Sequence, residues 1–529
     1  MKEDVSEREL LDLLGDKASY PHKPAKTEII QTHISYVAVA PPFVYKIKKP
    51  LNLGFLDFSS LSKRRRFCEE EVRLNRRLCR DIYEGVVPIS RAEGGLTLES
   101  DRAVVEYAVK MKRLEEGHFL HELVDRGEAG PEHLERVASR LVSFYGRQSP
   151  SPEAAEWGRI EKLRISTREN FEQMKPFIGS HLTAPSLDFI REYTNTFFRT
   201  HEPLLNRRRA DGHILDCHGD LRLEHVHIRG ESVCIFDCIE FNERLRSIDT
   251  ANDAAFLAMD LDYHSRPDLA AAFVESFSEG MADPELADLM DFYKCYRACV
   301  RGKVEAMKAE EPEVKLEERR ESERRAVRFF QLALNYATAG SRPVVLVVMG
   351  RIGSGKSTVA EILSDALGWS LISSDRTRKL PAREGDARDA GESDLYGEEM
   401  TRKTYHTLID RALERGSRGH STILDATFGS AKHRDKLREK LRGAGLRYYF
   451  VELTVPESVL KERLGSRDES GARASDARLP DFEKINAKYQ EPDALEDAHH
   501  REVNSERTAD ETALQVLRRL GAYKHDVGR

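Results

Sequence analysis

The 529-residue sequence has no long apolar run: its longest fall far short of the ~20 residues a membrane-spanning helix needs. The segment Met1 to Leu14 is charged where the core of a secretion signal would be apolar. These two absences predict a cytoplasmic protein with no membrane partner. Cysteine is scarce and odd in number, seven residues with no C-x-x-C pair, and the close pairs Cys234/Cys238 and Cys295/Cys299 are four apart. Reduced thiols are the expectation. A charge excess is missing too. The chain sets 84 basic against 91 acidic residues, a net −7, which speaks against a general nucleic-acid or membrane-surface binder. What is present, 40% hydrophobic and 33% charged residues, is the composition of a globular protein long enough for about three cores at ~150 residues each.

One stretch organises the rest. Six consecutive apolar residues, Val344 to Met349, run into Gly350-Arg-Ile-Gly-Ser-Gly355-Lys356-Ser357, which fits G-x-x-x-x-G-K-[ST] at every fixed position. The apolar run reads as a buried parallel strand, and Val359 to Leu367 has helical spacing, so the glycines fall at a strand-to-helix turn. There the backbone N–H groups of Gly350, Gly353, Ser354, Gly355 and Thr358 and the helix N-terminus can cradle phosphate oxygens. Lys356 reaches the outer phosphates and Ser357 holds Mg²⁺, which makes this an ATP site.

Past the loop, strand and helix alternate. Trp369 to Asp375 reads as a strand ending in a carboxylate, with Arg376, Arg378 and Lys379 beyond it; Thr422 to Thr427 carries Asp425, suited to holding Mg²⁺ through water. After the strand Tyr448 to Leu453, a helix bears Arg463 and Arg467, either arginines of a lid over the nucleotide or a solvated basic stripe, and Ser466 to Arg478 has the composition of a mobile lid.

The N-terminal part is mixed α/β. His33 to Ala40 and Phe43 to Ile47 flank Pro41-Pro42 as a hairpin, and Ser59 to Arg80 is a basic helix with Phe67, Glu71, Leu74 and Leu78 on one face. Glu71 there either meets Lys46 or Lys48 or lies at the stripe's edge in water. Strands at Thr97 to Leu98 and Ala103 to Met111 follow, then mainly helix to Arg209. Ile214 to Leu221 and Val233 to Asp237 deliver two carboxylates, Asp220 and Asp237, one to orient a hydroxyl and one to hold a metal. A zinc site from His225, His227, Cys234 and Cys238 is a rival reading whose spacing fits no familiar pattern. Asp253 is read as a structural anchor or a capping residue. Gly340-Ser-Arg-Pro343 ends a long helical stretch and marks the domain boundary.

His218-Gly219-Asp220-Leu221, Ile235-Phe236-Asp237 and Asp249-Thr-Ala-Asn-Asp253 resemble the aminoglycoside phosphotransferase and choline kinase group over about residues 29 to 269. The resemblance implies a protein-kinase-like bilobal fold, with a small lobe at about 29–107 and a helical lobe at 108–339. It makes Asp220 the catalytic base, Asp237 the Mg²⁺ ligand, Lys46 a contact to nucleotide phosphates and Glu71 its partner, with Lys48 the weaker candidate. One position departs from the pattern: His225 stands where the family has a metal-supporting Asn. The metal site there uses His225, or an oxygen such as Glu240 completes it, or the domain is impaired. The first hairpin also lacks a glycine-rich loop.

The stretch from about Pro343 to Leu520 resembles the P-loop small kinases, gluconate kinase, zeta-toxin kinases and nucleic-acid end kinases, through the loop, Ser373-Ser374-Asp375-Arg376 and Leu424-Asp425-Ala426-Thr427. That implies a parallel sheet, with Asp375 contacting or deprotonating an acceptor hydroxyl. The fusion, residues 1–339 then 340–529, resembles bacterial bifunctional aminoglycoside phosphotransferase/ATP-binding proteins. The expectation is an ATP- and Mg²⁺-dependent phosphotransferase acting on small-molecule hydroxyls. The alternatives are a nucleotide-gated binding protein with a degenerate N-terminal domain, or end phosphorylation of nucleic acid along Arg376, Arg378, Lys379 and Arg383, which the acidic total speaks against.

Overall fold

The computed structural model describes residues 5–54, 56–92, 95–312, 314–379, 397–470, 482–492 and 499–527; within these, the side chains of 467–470, 484–485 and 525–527 are not described. Packing divides the chain into two compact units, residues 1–165 with 201–293 and residues 166–200 with 294–529.

The first unit begins with the helix Glu7–Gly15, which Ser6 and Glu9 close with a capping box and which buries Leu10, Leu13 and Leu14. Six strands follow: β1 (Glu28–Gln31), β2 (Ser35–Ala40), β3 (Phe43–Lys48), β4 (Tyr83–Ala92), β5 (Gly95–Leu98) and β6 (Val104–Lys112). They form one antiparallel sheet in the order β1-β2-β3-β6-β4-β5. The expected hairpin about Pro41-Pro42 is β2 and β3, and its register sets Val37 opposite Lys46 and Ser35 opposite Lys48. The expected basic helix is Leu61–Asn75, with Ser60 as its N-cap, packed on β4 and β6.

The carboxylate-bearing region is built from two small antiparallel pairs. β7 (Ile214–Asp216) joins β10 (Ser247–Asp249), and β8 (Val226–Arg229) joins β9 (Ser232–Ile235). Beneath them runs the buried helix Thr250–Tyr263.

The second unit holds a five-stranded parallel sheet of β11 (Val344–Met349), β12 (Ser370–Ser373), β13 (Thr422–Asp425), β14 (Arg447–Thr454) and β15 (His500–Asn504), in the order β12-β13-β11-β14-β15. β11 lies in the middle and all six of its residues are buried, as an uninterrupted apolar run requires. Residues 166–200 and 294–339, expected with the N-terminal part, group here. The helix Ala184–Thr200 packs on Leu316–Thr338 and Ala509–Val527, and Leu316–Thr338 also covers Lys356–Leu367. Helical periodicity reveals an apolar face but not which partner covers it. No helix among the described residues is long and apolar enough to cross a membrane.

Candidate functional site

The centre of the second unit is the turn between β11 and the helix Lys356–Leu367. Gly350, Gly353 and Gly355 have φ of 138°, 83° and 90°. A Cβ on Gly350 would lie 2.6 Å from the Leu453 carbonyl oxygen and one on Gly353 2.9 Å from that of Leu460, so the loop closes against neighbouring backbone that only glycine allows. Gly355 caps the helix and Lys356 opens it, its Nζ donating to the Arg351 carbonyl oxygen at 2.8 Å. Ser354 Oγ is buried without a hydrogen-bond partner among the described residues, and Thr358 is exposed on the first turn.

Ser357 Oγ donates to Asp425 Oδ2 at 2.8 Å, joining the helix start to the end of β13. Burial raises the Asp425 carboxyl above its ordinary range and the charge of Asp375 adds to the rise, while Lys356, Ser357 and Ser373 oppose it. Asp375 sits in the one-turn helix Ser374–Arg378 that follows β12, rather than at the strand end where the sequence put it. Arg378 Nη1 lies 3.7 Å from its Oδ1. Tyr405, which the sequence did not mark, accepts a hydrogen bond from the Phe428 N–H at 3.1 Å, feels the charges of Asp375, Asp425 and Arg378, and is pushed by burial up to about 12. A serine hydroxyl beside a carboxylate, with a second carboxylate near, is an all-oxygen donor set of the kind Mg²⁺ prefers.

Arg463 lies beside the loop: its Nη2 donates to the Ser505 carbonyl oxygen at 2.6 Å, and its Nη1 reaches the Ser354 carbonyl oxygen at 3.5 Å. Ser505 Oγ donates to that same carbonyl at 2.8 Å. The side chain of Arg467, Arg383 and residues 471–478 of the expected lid lie outside the described residues. Arg376 is at the surface, 3.2 Å from Glu361.

In the first unit, Lys46 Nζ is 3.0 Å from Glu71 Oε1 and donates to Asp237 Oδ1. Lys48 Nζ is 2.7 Å from Glu71 Oε2 and donates to Glu240 Oε1. Glu71 is fully buried, not at a wet edge, and two ammonium groups meet it. Against the desolvation that burial imposes, Lys46 and Lys48 hold the Glu71 carboxyl below its ordinary range, and Lys46 does so for Asp237. Asp237 has φ 64°, the left-handed region, and its N–H donates to Tyr83 Oη at 3.4 Å. Glu240, the oxygen donor the sequence offered for that metal, is paired with Lys48.

Asp253 anchors the turn before Asp220: it accepts the N–H groups of His218 and Gly219 at 2.8 and 2.9 Å and the Tyr145 hydroxyl at 2.5 Å. Asp220 Oδ2 accepts from Arg222 Nε at 3.1 Å. His225, expected at the metal, has a hydrogen-bond partner at each ring nitrogen. Its Nδ1 is 2.8 Å from the Asp220 carbonyl oxygen, which can only accept, and its Nε2 is 3.2 Å from Arg222 Nη2, which can only donate. Both ring nitrogens are thus committed. The zinc reading fails for similar reasons: Cys234 is bonded to Cys79, His227 Nε2 contacts the Glu115 carbonyl oxygen at 3.0 Å, and no metal-holding group of three or more His, Cys, Asp or Glu occurs among the described residues. The Cys79–Cys234 disulfide also corrects the expectation of reduced thiols throughout. These cysteines are 155 residues apart, a pairing only the packing of two elements can reveal.

Residues 345–492 match the family model described as an AAA domain. A gluconokinase of Gluconobacter oxydans is 33% identical over 136 residues, 24% of this chain and 68% of that protein. A Mycobacterium tuberculosis protein described as uncharacterized is 29% identical over 418 residues, 77% of this chain and 79% of its own length. Among solved structures, a gluconokinase from Sinorhizobium meliloti is 23% identical with a TM-score of 0.26, covering 35% of this chain and 98% of its own. The Mycobacterium tuberculosis APS kinase in complex with AMPPNP and APS is 23% identical with a TM-score of 0.27, covering 34% of this chain and 96% of its own.

Proposed function

The chain belongs, through residues 345–492, to the gluconokinase-like P-loop kinase family, and from that footing we propose that its second unit transfers the γ-phosphate of ATP to a hydroxyl group of a small molecule. The observation that carries this reading is the Ser357–Asp425 hydrogen bond at the phosphate loop, with the charge of Asp375 felt at the same carboxylate. Lys356 and the loop N–H groups neutralise the phosphates, Arg463 adds charge beside Gly355, and Asp375 accepts the proton of the acceptor hydroxyl. Ser357 and Asp425 are the residues that would hold Mg²⁺, which would supply charge neutralisation to the nucleotide phosphates when bound.

The reading extends to the first unit as a second nucleotide site. Lys46, fixed by Glu71, and the carboxylates Asp220 and Asp237 are the residues assigned to it, with Asp237 its divalent-ion ligand. A narrower role, binding without transfer, is favoured there by the direct Lys46–Asp237 ion pair and by the commitment of both His225 nitrogens. A cytoplasmic location and a small anionic or polyol acceptor, rather than nucleic acid, belong to the same proposal.

The test is γ-phosphate transfer from ATP to a panel of sugar acids, polyols and aminoglycosides, comparing the wild type with Lys356→Ala, Asp375→Asn and Asp220→Asn. Loss of transfer in the first two variants supports the assignment. Transfer that persists in both removes it, and loss in Asp220→Asn alone moves the chemistry to the first unit.

A further inference from the structure

In the sheet order β12-β13-β11-β14-β15, the phosphate loop leaves the central strand β11. On one side of it, past β14 and β15, Arg463 meets the Ser505 carbonyl oxygen; on the other, Asp375 lies just past β12 and Asp425 ends β13. Ligands of open parallel sheets lie beyond the carboxyl ends of the strands, so an acceptor that reaches Asp375 comes from the β12–β13 side. The segment that leaves β13 there is Ala426 to Ser430.

Phe428 is the centre of that segment. Its φ is 44°, in the left-handed region, where a bulky side chain is uncommon and persists only if its surroundings over-determine it. Here every group of the residue is held. Its N–H donates to Tyr405 Oη at 3.1 Å, and its carbonyl oxygen accepts from Arg434 Nη1 at 2.8 Å. Its buried ring meets the rings of Tyr405 and Phe450 edge-on, with centroids 5.0 and 6.1 Å away. The neighbouring carbonyls are used as well. Thr427 accepts from the N–H of Gly350, the first residue of the phosphate loop, at 3.4 Å, and Gly429 accepts from the Gln490 N–H at 2.8 Å. The N–H groups of Thr427 and Gly429 have no partner among the described residues, and both residues are partly exposed.

Tyr405 ties this segment to the helix that follows it. It lies on the helix Glu398–Ser417, which packs on the one-turn helix carrying Asp375 and on β13. Its ring stacks on His433, in the first turn of the helix Ala431–Gly443, with centroids 4.2 Å apart. One side chain thus meets the segment at Phe428 through its oxygen and beyond it through its ring. Aromatic packing alone does not need the oxygen: phenylalanine would fill the same space and leave the Phe428 N–H buried without an acceptor.

We infer that Tyr405 is the positioning residue of the acceptor side of the second unit's site: its hydroxyl keeps Phe428 in the left-handed conformation and so sets where the Thr427 and Gly429 N–H groups meet an acceptor. The acceptor this suits carries further hydroxyls or a carboxylate, because two backbone donors call for oxygens besides the one that receives the phosphoryl group. This rests on the reading of the second unit as a phosphotransferase. A tyrosine that served only to fill the core would be replaced by phenylalanine without any change at the acceptor.

The experiment compares the full-length wild type with Tyr405→Phe, first without ligand. Hydrogen exchange followed by mass spectrometry over residues 426–431 is expected to run about tenfold faster in the variant, while exchange over β11 stays the same. Steady-state kinetics then use ATP and the member of the sugar-acid, polyol and aminoglycoside panel that the wild type turns over best. Tyr405→Phe is expected to raise the KM of that acceptor about five- to tenfold, the worth of one hydrogen bond, and to leave the KM for ATP unchanged. Unchanged exchange over residues 426–431, an unchanged acceptor KM, or KM values for ATP and acceptor that rise together would overturn the inference and leave phosphotransfer standing. If the wild type turns over no member of the panel, the phosphotransfer reading falls and the acceptor role of Tyr405 with it.

Discussion

Ser357 donates its hydroxyl to Asp425 at 2.8 Å and so fastens the first turn of the helix after the phosphate loop to the end of the neighbouring strand β13. The contact places a hydroxyl and a buried carboxylate where the loop backbone turns, with Lys356 close enough to temper the carboxylate's charge. Asp425→Asn retains an acceptor for Ser357 and removes the charge. Phosphotransfer is expected to fall by roughly 10²–10³-fold, the scale of losing one charge-stabilising group. The readout is kcat across a Mg²⁺ titration. A variant that recovers wild-type kcat at ordinary Mg²⁺ would show that Asp425 is no part of the reaction.

Lys48 offers a test of the first unit's interior. It is 1% exposed and meets Glu71 and Glu240, so Lys48→Met leaves a carboxylate buried with no ammonium opposite it. The expected loss is about 3–5 kcal/mol in urea unfolding, much of it regained in Lys48→Met/Glu240→Leu because the orphaned charge is removed with its partner. A loss under about 1 kcal/mol, the scale of exposed pairs, would mean that water reaches this cluster.

The Cys79–Cys234 disulfide joins two cysteines of the first unit that are 155 residues apart in sequence. Reduction, or Cys79→Ala/Cys234→Ala, is expected to cost about 2–4 kcal/mol by releasing conformational freedom to the unfolded chain. The urea midpoint with and without dithiothreitol measures this. If the double variant remains as sensitive to dithiothreitol as the wild type, the stabilisation lies elsewhere.

The free thiols set a pH signature. Burial pushes Cys68 and Cys238 each up to about 12, against an unfolded value of ~8.5. The folded state therefore keeps protons that the unfolded state gives up. The stability these thiols contribute is whole below ~8.5 and is lost as pH climbs toward 12. Native-state iodoacetamide labelling of both residues should stay flat between about pH 8 and pH 10, and rise only when the chain is unfolded. Labelling that climbs across that interval in the native protein would place the thiols in contact with solvent.

Legibility in the sequence followed the range of the interactions. The strand Val344–Met349 and the helix after it could be read because an apolar run, three glycines and a helical period are all local. The hairpin of β2 and β3 was equally plain. The strand β4 was missed because Gly85 and Pro88 break its alternation; Pro88 nonetheless stays in the ladder through its carbonyl, which accepts from Glu99 N–H at 2.9 Å. Around Asp220 and Asp237 the carboxylates were legible, and their partners were not. That His225 faces Arg222, that Lys48 binds Glu240, and that Tyr405 sits near Asp375 all depend on which elements pack together. No spacing encodes this.

The grouping of Ala184–Thr200 with Leu316–Thr338 and Ala509–Val527 has a consequence for synthesis. The earliest of these helices leaves the ribosome long before the last, and at ordinary elongation rates it waits for roughly half a minute. During that wait its buried aromatic side chains, Phe189, Tyr193, Phe197 and Phe198, have no final cover. Nascent chains halted before residue 509 should thus be the species that chaperones hold, and release should coincide with arrival of the C-terminal helix.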